Sequence, residues 1–206
     1  MIFSYFYNVH FYCANICFIY SFLFFSFLFF SASSTLIYSH LFIHIYRCAG
    51  YCVATFVLGI GDRHNDNIMI TRGGRFFHID FGHFLGNFKS KFGVKRERAP
   101  FVFTNAMSAA LGGPKSALYA EFVDICGQAL NVIRMKASLL ISLFRLMISC
   151  GIPELERESD IIYLRDKLML DKTDEEAAAM FAIEIEKSAA TKTTRLNDAA
   201  HIFKHG

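Results

Sequence analysis

For its first 46 residues the chain contains no Lys, Arg, Asp or Glu, and every charged side chain lies at Arg47 or beyond. This break divides the 206 residues into two unlike segments, an apolar stretch at 1–46 and a mixed-charge segment at 47–206. Within the first, Phe11 to Ser31 is long and apolar enough to span a bilayer as a helix. A secretory signal would carry a cationic region ahead of the apolar run, and a membrane helix commonly has Lys or Arg on one flank. Neither precedes this run. Two other readings stand beside the membrane helix. Phe, Ser, Leu and Tyr are encoded largely by pyrimidine-rich codons, so a translated intron end, a mis-spliced leader, would have this composition. The segment could also be a buried element.

Beyond Arg47 the balance is mildly basic, with a formal net charge of +3 for the chain, which is compatible with an anionic substrate but does not imply one. Cys13, Cys17, Cys48, Cys52, Cys126 and Cys150 form neither a CxxC pair nor a zinc spacing with histidine, so reduced thiols are expected. Cys48 and Cys52 stand on one helical face and are expected in the core.

The apolar residues between Cys48 and Leu58 predict a buried helix ended by Gly59 and Gly61. Ile68-Met69-Ile70 and Phe76-Phe77-His78-Ile79, separated by Thr71-Arg72-Gly73-Gly74, predict a small β-hairpin. Phe81 to Thr104 has no sustained periodicity and is expected to be a long loop, and such loops are usually functional. Gly112-Gly113-Pro114 marks a helix start, followed by a core stripe of Leu118, Phe122, Ile125, Ala129, Val132 and Ile133. Residues 136–149 are apolar nearly all round, the pattern of a central helix, and Gly151-Ile152-Pro153 stops it. Thr173-Asp174-Glu175-Glu176 has the form of a capping box opening a helix to about Ala190.

The chemistry concentrates in Gly59-Ile60-Gly61-Asp62-Arg63-His64-Asn65-Asp66-Asn67 and, after the hairpin, His78-Ile79-Asp80-Phe81-Gly82. Taken singly these residues are ordinary turn formers or a structural histidine. Phosphoryl transfer, however, needs a carboxylate near the acceptor hydroxyl, and an amide oxygen with a second carboxylate as hard ligands for Mg2+. Protein kinases place the first acid and the Asn five positions apart in a loop and take the second acid from Asp-Phe-Gly after a hairpin. Asp62, Asn67 and Asp80-Phe81-Gly82 reproduce that spacing.

Protein kinases write His-Arg-Asp in this loop, whereas this chain writes Asp62-Arg63-His64. GxGDRHxxN followed by HIDFG resembles the phosphoinositide 3-kinase and related lipid kinase superfamily, over roughly Cys48 to Ile202. The resemblance implies an α+β, mainly α fold, the C-lobe of a protein-kinase-like domain with a small β-hairpin and with the N-lobe absent from the chain. The catalytic loop would be 59–67 and the activation loop 80–104. The implied activity is ATP-dependent phosphorylation of the inositol 3-hydroxyl of phosphatidylinositol lipids, with ATP and Mg2+ as cofactors. His64 would assist deprotonation of that hydroxyl or stabilise the transferring phosphate, and Asp62 would orient the site. Asn67 and Asp80 would bind Mg2+ and the nucleotide with it. Arg63 would brace the loop by pairing with a carboxylate, with Phe81 and Gly82 as structural support, and Asp66 would be structural.

Two basic boxes in the activation loop, Lys89/Lys91 and Lys95/Arg96/Arg98, would face the phosphorylated headgroup. The first box with the following Phe-Gly resembles class I enzymes, which use the 4,5-bisphosphate. Asn65, Arg98-Ala99-Pro100-Phe101, Phe122 to Cys126, Cys150 to Leu155 and Ala190-Thr191-Lys192 resemble class II, which favours phosphatidylinositol and its 4-phosphate. The subclass stays open, with the loop weighing more for the substrate because it would touch the headgroup. Class I has Trp beside the Thr-Lys of its last helix, and this chain has none.

The expected partners are phosphatidylinositol lipids at a membrane surface, and an upstream N-lobe with regulatory domains or subunit, absent from this chain. No nucleic acid is expected. The protein would be cytoplasmic and recruited to membranes, integral only if 1–46 is genuine. A fragment without an N-lobe would be inactive alone. The competing reading is a membrane-anchored pseudokinase fragment acting only as a binding surface.

Overall fold

A computed structural model describes residues 36–61, 63, 66–72, 75–86, 90–91, 94–95 and 101–191, and at 36–43, 90–91 and 94–95 it describes the backbone alone. The chain divides into two compact units, Met1–Thr35 and Leu36–Gly206, and all described residues belong to the second.

Helix α1, Leu36–Leu58, starts well before the expected Cys48. The change in charge at Arg47 falls inside it, because a shift from apolar to charged side chains neither caps nor breaks a helix and Leu36 to Tyr46 contain no Gly or Pro. From Cys52 to Leu58 every residue is buried, Cys48 included on the same face, so α1 is the central helix of the fold. It packs against strand β2 of the hairpin and against helices α3 (Ala117–Met135) and α5 (Ile162–Leu168). Among the described residues no helix is long and apolar enough to cross a membrane.

The hairpin forms as expected. Strands β1, Ile68–Ile70, and β2, Phe76–His78, pair antiparallel with Ile68 opposite His78 and Ile70 opposite Phe76. The stretch read as one unbroken loop contains two more strands, β3 (Ser90–Lys91) and β4 (Val94–Lys95), paired with each other. Two residues per strand are too few to write a period-two pattern into a sequence.

Gly112-Gly113-Pro114 ends a helix and does not start one. Short helix α2, Asn105–Ala110, opens on Thr104, whose hydroxyl accepts from Met107 N at 3.2 Å. Gly112 N then bonds to Ala109 O at 2.9 Å and Gly113 N to Ser108 O at 2.8 Å, return bonds of a helix C-terminus. Helix α3 starts later, on Ser116, which accepts from Tyr119 N at 3.0 Å. Its buried stripe is Tyr119, Phe122, Ile125, Cys126, Ala129, Leu130 and Ile133. Leu118 is only half-buried and Val132 is 37% exposed, one step off that stripe.

Helix α4, Ala137–Met147, buries Ala137, Leu140 and Phe144 but leaves Leu146 72% exposed, so it lies at the periphery. Apolar composition all round reports what a helix could bury, and the packing of the described residues gives the all-round burial to α1. The capping box at Thr173 is as expected, opening helix α6, Asp174–Ala190: Glu176 N donates to Thr173 Oγ1 at 3.2 Å and Thr173 N to Glu176 Oε2 at 2.9 Å. Helices α3 and α6 pack side by side at Gly127, where an added Cβ would come 2.9 Å from Ala178 Cβ. Phe56 of α1, Phe101, and Phe181 of α6 form one aromatic cluster, with Phe56 and Phe181 ring centroids 4.8 Å apart.

Candidate active site

Two chain segments leave the core side by side. Where α1 ends, Leu85 N donates to Leu58 O at 2.7 Å, Gly86 N to Gly59 O at 3.2 Å, and Gly61 N to His83 O at 3.0 Å. The loop that opens at Gly59 is thereby laced to the stretch that follows Asp80-Phe81-Gly82.

Between these ends the hairpin brings the main chain of Asn67 up to that of Ile79, one residue before Asp80. Ile79 N donates to Asn67 O at 3.0 Å, extending the β1–β2 pairing by one residue, so Asn67 faces Ile79 and is diagonal to Asp80. Asn67 is buried, 3% exposed, whereas Asp80 is open to solvent. Asp80 takes a left-handed backbone with φ of 57°, a conformation that costs an L-residue on the order of 1 kcal/mol and needs outside support.

Arg63 provides it. Its guanidinium is 4% exposed and donates to main-chain carbonyls: Nε to Gly61 at 2.9 Å, Nη1 to Ile79 at 2.7 Å, and Nη2 to Asp80. These three bonds hold the main chain on either side of the site through its carbonyls. The Phe81 ring lies beneath the cation, 5.4 Å from Cζ to centroid. At Gly82 neither a positive φ nor a close approach calls for glycine, since an added Cβ would sit 3.6 Å from Asp80 Oδ1.

His78, between β2 and α1, is the unexpected member of the site. It is buried, stacks on Tyr51 with centroids 4.8 Å apart and planes 8° apart, and among the described residues neither ring nitrogen has a hydrogen-bond partner. Burial, and then the charge of Arg63, push its pKa down to about 3, so the ring is neutral.

Asn67 and Asp80 offer one amide and one carboxylate oxygen. Among the described residues no group of three or more His, Cys, Asp or Glu could hold a metal ion. A pair of hard oxygen donors fits Mg2+, which keeps several waters and takes further ligands from phosphate oxygens. Asp62 and His64 lie outside the described residues, as do Lys89, Arg96 and Arg98. Lys91 and Lys95 are described as backbone of β3 and β4, Lys91 opposite Val94 and Lys95 opposite Ser90.

Sequence reasoning passed over two groups of residues here. Alternation puts Asn67, Met69, Phe77 and Ile79 on one face of the hairpin, and Met69 and Ile79 are 43% and 41% exposed beside Asp80. The signal was available: every position of the two strands but His78 is apolar, more than α1 covers, and Ile70 on the other face is itself 61% exposed. The second group, Tyr163 and Ser188, holds the activation segment from distant helices and carried no local signal.

Residues 29–157 match the family model of Phosphatidylinositol 3- and 4-kinase, more than half of the chain. The chain is 55% identical over 161 residues to Phosphatidylinositol 3-kinase 1 of Dictyostelium discoideum, covering 78% of this chain and 10% of that protein. Against Phosphatidylinositol 3-kinase 3 of the same organism it is 58% identical over 158 residues, 77% of this chain and 9% of that one. With Phosphatidylinositol 4-phosphate 3-kinase C2 domain-containing subunit beta of Homo sapiens it shares 50% over 159 residues, 76% of this chain and 10% of the other. The chain thus spans about a tenth of the length of the curated relatives it matches.

Proposed function

The chain belongs to the phosphatidylinositol 3- and 4-kinase family, and from that premise we propose that it carries the phosphoryl-transfer centre of a phosphatidylinositol 3-kinase. The reaction is transfer of the γ-phosphoryl group of ATP to the inositol 3-hydroxyl of a phosphatidylinositol lipid. The observation that carries the reading is the hairpin pairing that sets Asn67 beside Ile79 and next to Asp80, with Arg63 holding the main chain of Asp80.

In this reading Asn67 and Asp80 hold Mg2+, which neutralises charge on the phosphates. Buried Asn67 is fixed by the hairpin, while exposed Asp80 points its carboxylate at the incoming nucleotide, so one ligand is preset and the other accessible. The apolar face of Met69 and Ile79 suits the flat side of a purine. His64 receives the proton of the lipid hydroxyl or steadies the moving phosphate, and Asp62 orients that step. Lys89, Lys91, Lys95, Arg96 and Arg98 contact the headgroup phosphates. The nucleotide is closed in by an N-lobe, and regulatory domains or a subunit complete the protein, consistent with relatives about ten times the span matched here. The protein is cytoplasmic and recruited to the bilayer that holds its substrate.

The basic boxes favour the 4,5-bisphosphate as acceptor. A second reading, the 4-phosphate, is favoured by the printed name of the Homo sapiens relative at 50% identity. The test is lipid kinase activity of the full-length protein on phosphatidylinositol, its 4-phosphate and its 4,5-bisphosphate, with Asp80→Asn beside the wild type. Loss of turnover by about a hundredfold or more in the variant is expected, as for removal of a metal ligand. Wild-type turnover retained by Asp80→Asn would refute the assignment, and no turnover by wild type on any of the lipids would favour the binding-surface reading.

A further inference from the structure

Tyr163 of α5 lies far from Asp80 in sequence, yet its ring covers the place where the two active-site segments are laced together. An added Cβ on Gly59 would fall 2.5 Å from Tyr163 Cε1 and 2.5 Å from Gly86 N, and one on Gly86 would fall 2.6 Å from Tyr163 Cδ2 and Cε2. Both glycines have left-handed backbones, with φ of 57° at Gly59 and 74° at Gly86. The aromatic ring therefore rests directly on two stretches of bare main chain that are themselves hydrogen-bonded, Gly86 N to Gly59 O at 3.2 Å. No side chain intervenes that could absorb a shift. Lys167 Nζ sits over both the Phe56 and Tyr163 rings, 4.8 and 5.5 Å from their centroids, and the Tyr163 hydroxyl donates to Phe56 O at 3.5 Å, so the ring is held from behind.

The far end of the activation segment is fixed separately. Ser188 of α6 donates to Phe101 O at 2.5 Å and accepts from Phe103 N at 3.0 Å, both inside the core. The hairpin bonds Ile79 N to Asn67 O, and Arg63 holds the carbonyls of Ile79 and Asp80, bonds in which Tyr163 takes no part. A loosened Tyr163 contact would leave the metal pair intact and move the start of the activation segment relative to it.

We propose that Tyr163 is a positioning residue for the lipid acceptor: by seating on Gly59 and Gly86 it fixes the angle at which the activation segment leaves the catalytic loop. The proposal rests on the phosphatidylinositol 3-kinase reading of the site. It separates two functions that share one centre, since nucleotide binding depends on the Asn67–Asp80 pair and acceptor placement depends on the latch.

The experiment compares full-length wild type, Tyr163→Phe and Tyr163→Leu in lipid phosphorylation and in lipid-independent ATP hydrolysis, with hydrogen exchange of the Leu85 and Gly86 amides as a readout free of activity. In Tyr163→Leu, kcat for lipid should fall by about tenfold or more, as small misplacements of a reactant do. KM for ATP and the rate of ATP hydrolysis should stay within about twofold, the mark of lost acceptor placement and not of lost nucleotide binding. Exchange at Leu85 and Gly86 should rise, and Tyr163→Phe, which keeps the ring, should restore all of these values. Equal loss of lipid transfer and ATP hydrolysis, or unchanged exchange in Tyr163→Leu, would overturn the proposal. Should Tyr163→Leu fail to fold, Gly86→Ala, which drives a methyl into the ring, is read by the same split. A wild type that turns over no lipid would sink the functional reading alone, and the exchange data would still decide whether the latch exists.

Discussion

Arg63 and His78 form a pair at the root of the site, a charged guanidinium and a histidine kept neutral first by burial and then by that charge. The guanidinium is bound by carbonyls of the segment it supports, so its charge is solvated by the loop itself. The neighbouring imidazole has no hydrogen-bond partner among the described residues, and burial with the Arg63 charge holds its pKa at about 3 against an ordinary 6.5. Above pH 6.5 both folded and unfolded chains carry the neutral ring. Below it the unfolded chain takes up a proton that the native state refuses, so stability falls as pH drops from 6.5 toward 3. By pH 5 this amounts to about 2 kcal/mol. His78→Phe, which keeps the stack on Tyr51, should flatten that acid limb, and urea unfolding of both proteins at pH 7 and pH 5 checks it. Asn67 and Asp80 could be singled out in the sequence because the proposed chemistry asks for those residue types at that spacing. The neutrality of His78 could not, since nothing local in His-Ile-Asp says which helix lies behind the strand.

At the scale of elements, the hairpin and α6 could be read because their signals are local: paired glycines between apolar runs, and a reciprocal cap at Thr173. The start of α1 could not, because the conspicuous change at Arg47 is one of charge, and charge does not stop a helix. The exchange of roles between α1 and residues 136–149 has the same origin, since hydrophobicity measures what can be buried and neighbours decide what is. The contact between α3 and α6 makes the point energetically. At Gly127 the two backbones come together beside Ala178, with 2.9 Å left for a Cβ. Gly127→Val must push α6 away and should cost about 1–3 kcal/mol, as overpacking does in cores. Thermal unfolding should show the loss, while Gln128→Val, exposed on the same helix, should be nearly neutral.

Over the whole molecule, residues remote in sequence hold the ends of the activation segment: Tyr163 at Gly86 and Ser188 at Phe101 and Phe103. Ser188→Ala would leave a buried N–H and a buried carbonyl without their partner and should lower stability by about 1–3 kcal/mol. Limited proteolysis should then cut within 87–103 at lower protease concentration than in wild type. Neither anchor was visible in the sequence, because contacts between residues 77 to 87 positions apart leave no periodic trace. One consequence concerns how such a protein changes over time. A span moored at both ends asks little of its own composition, and the entropy of closing it grows only with the logarithm of its length. Residues 87–100 can therefore be recharged, lengthened or replaced at small cost to the scaffold, so under the proposed function the choice of headgroup would drift across generations much faster than the machinery that transfers the phosphate.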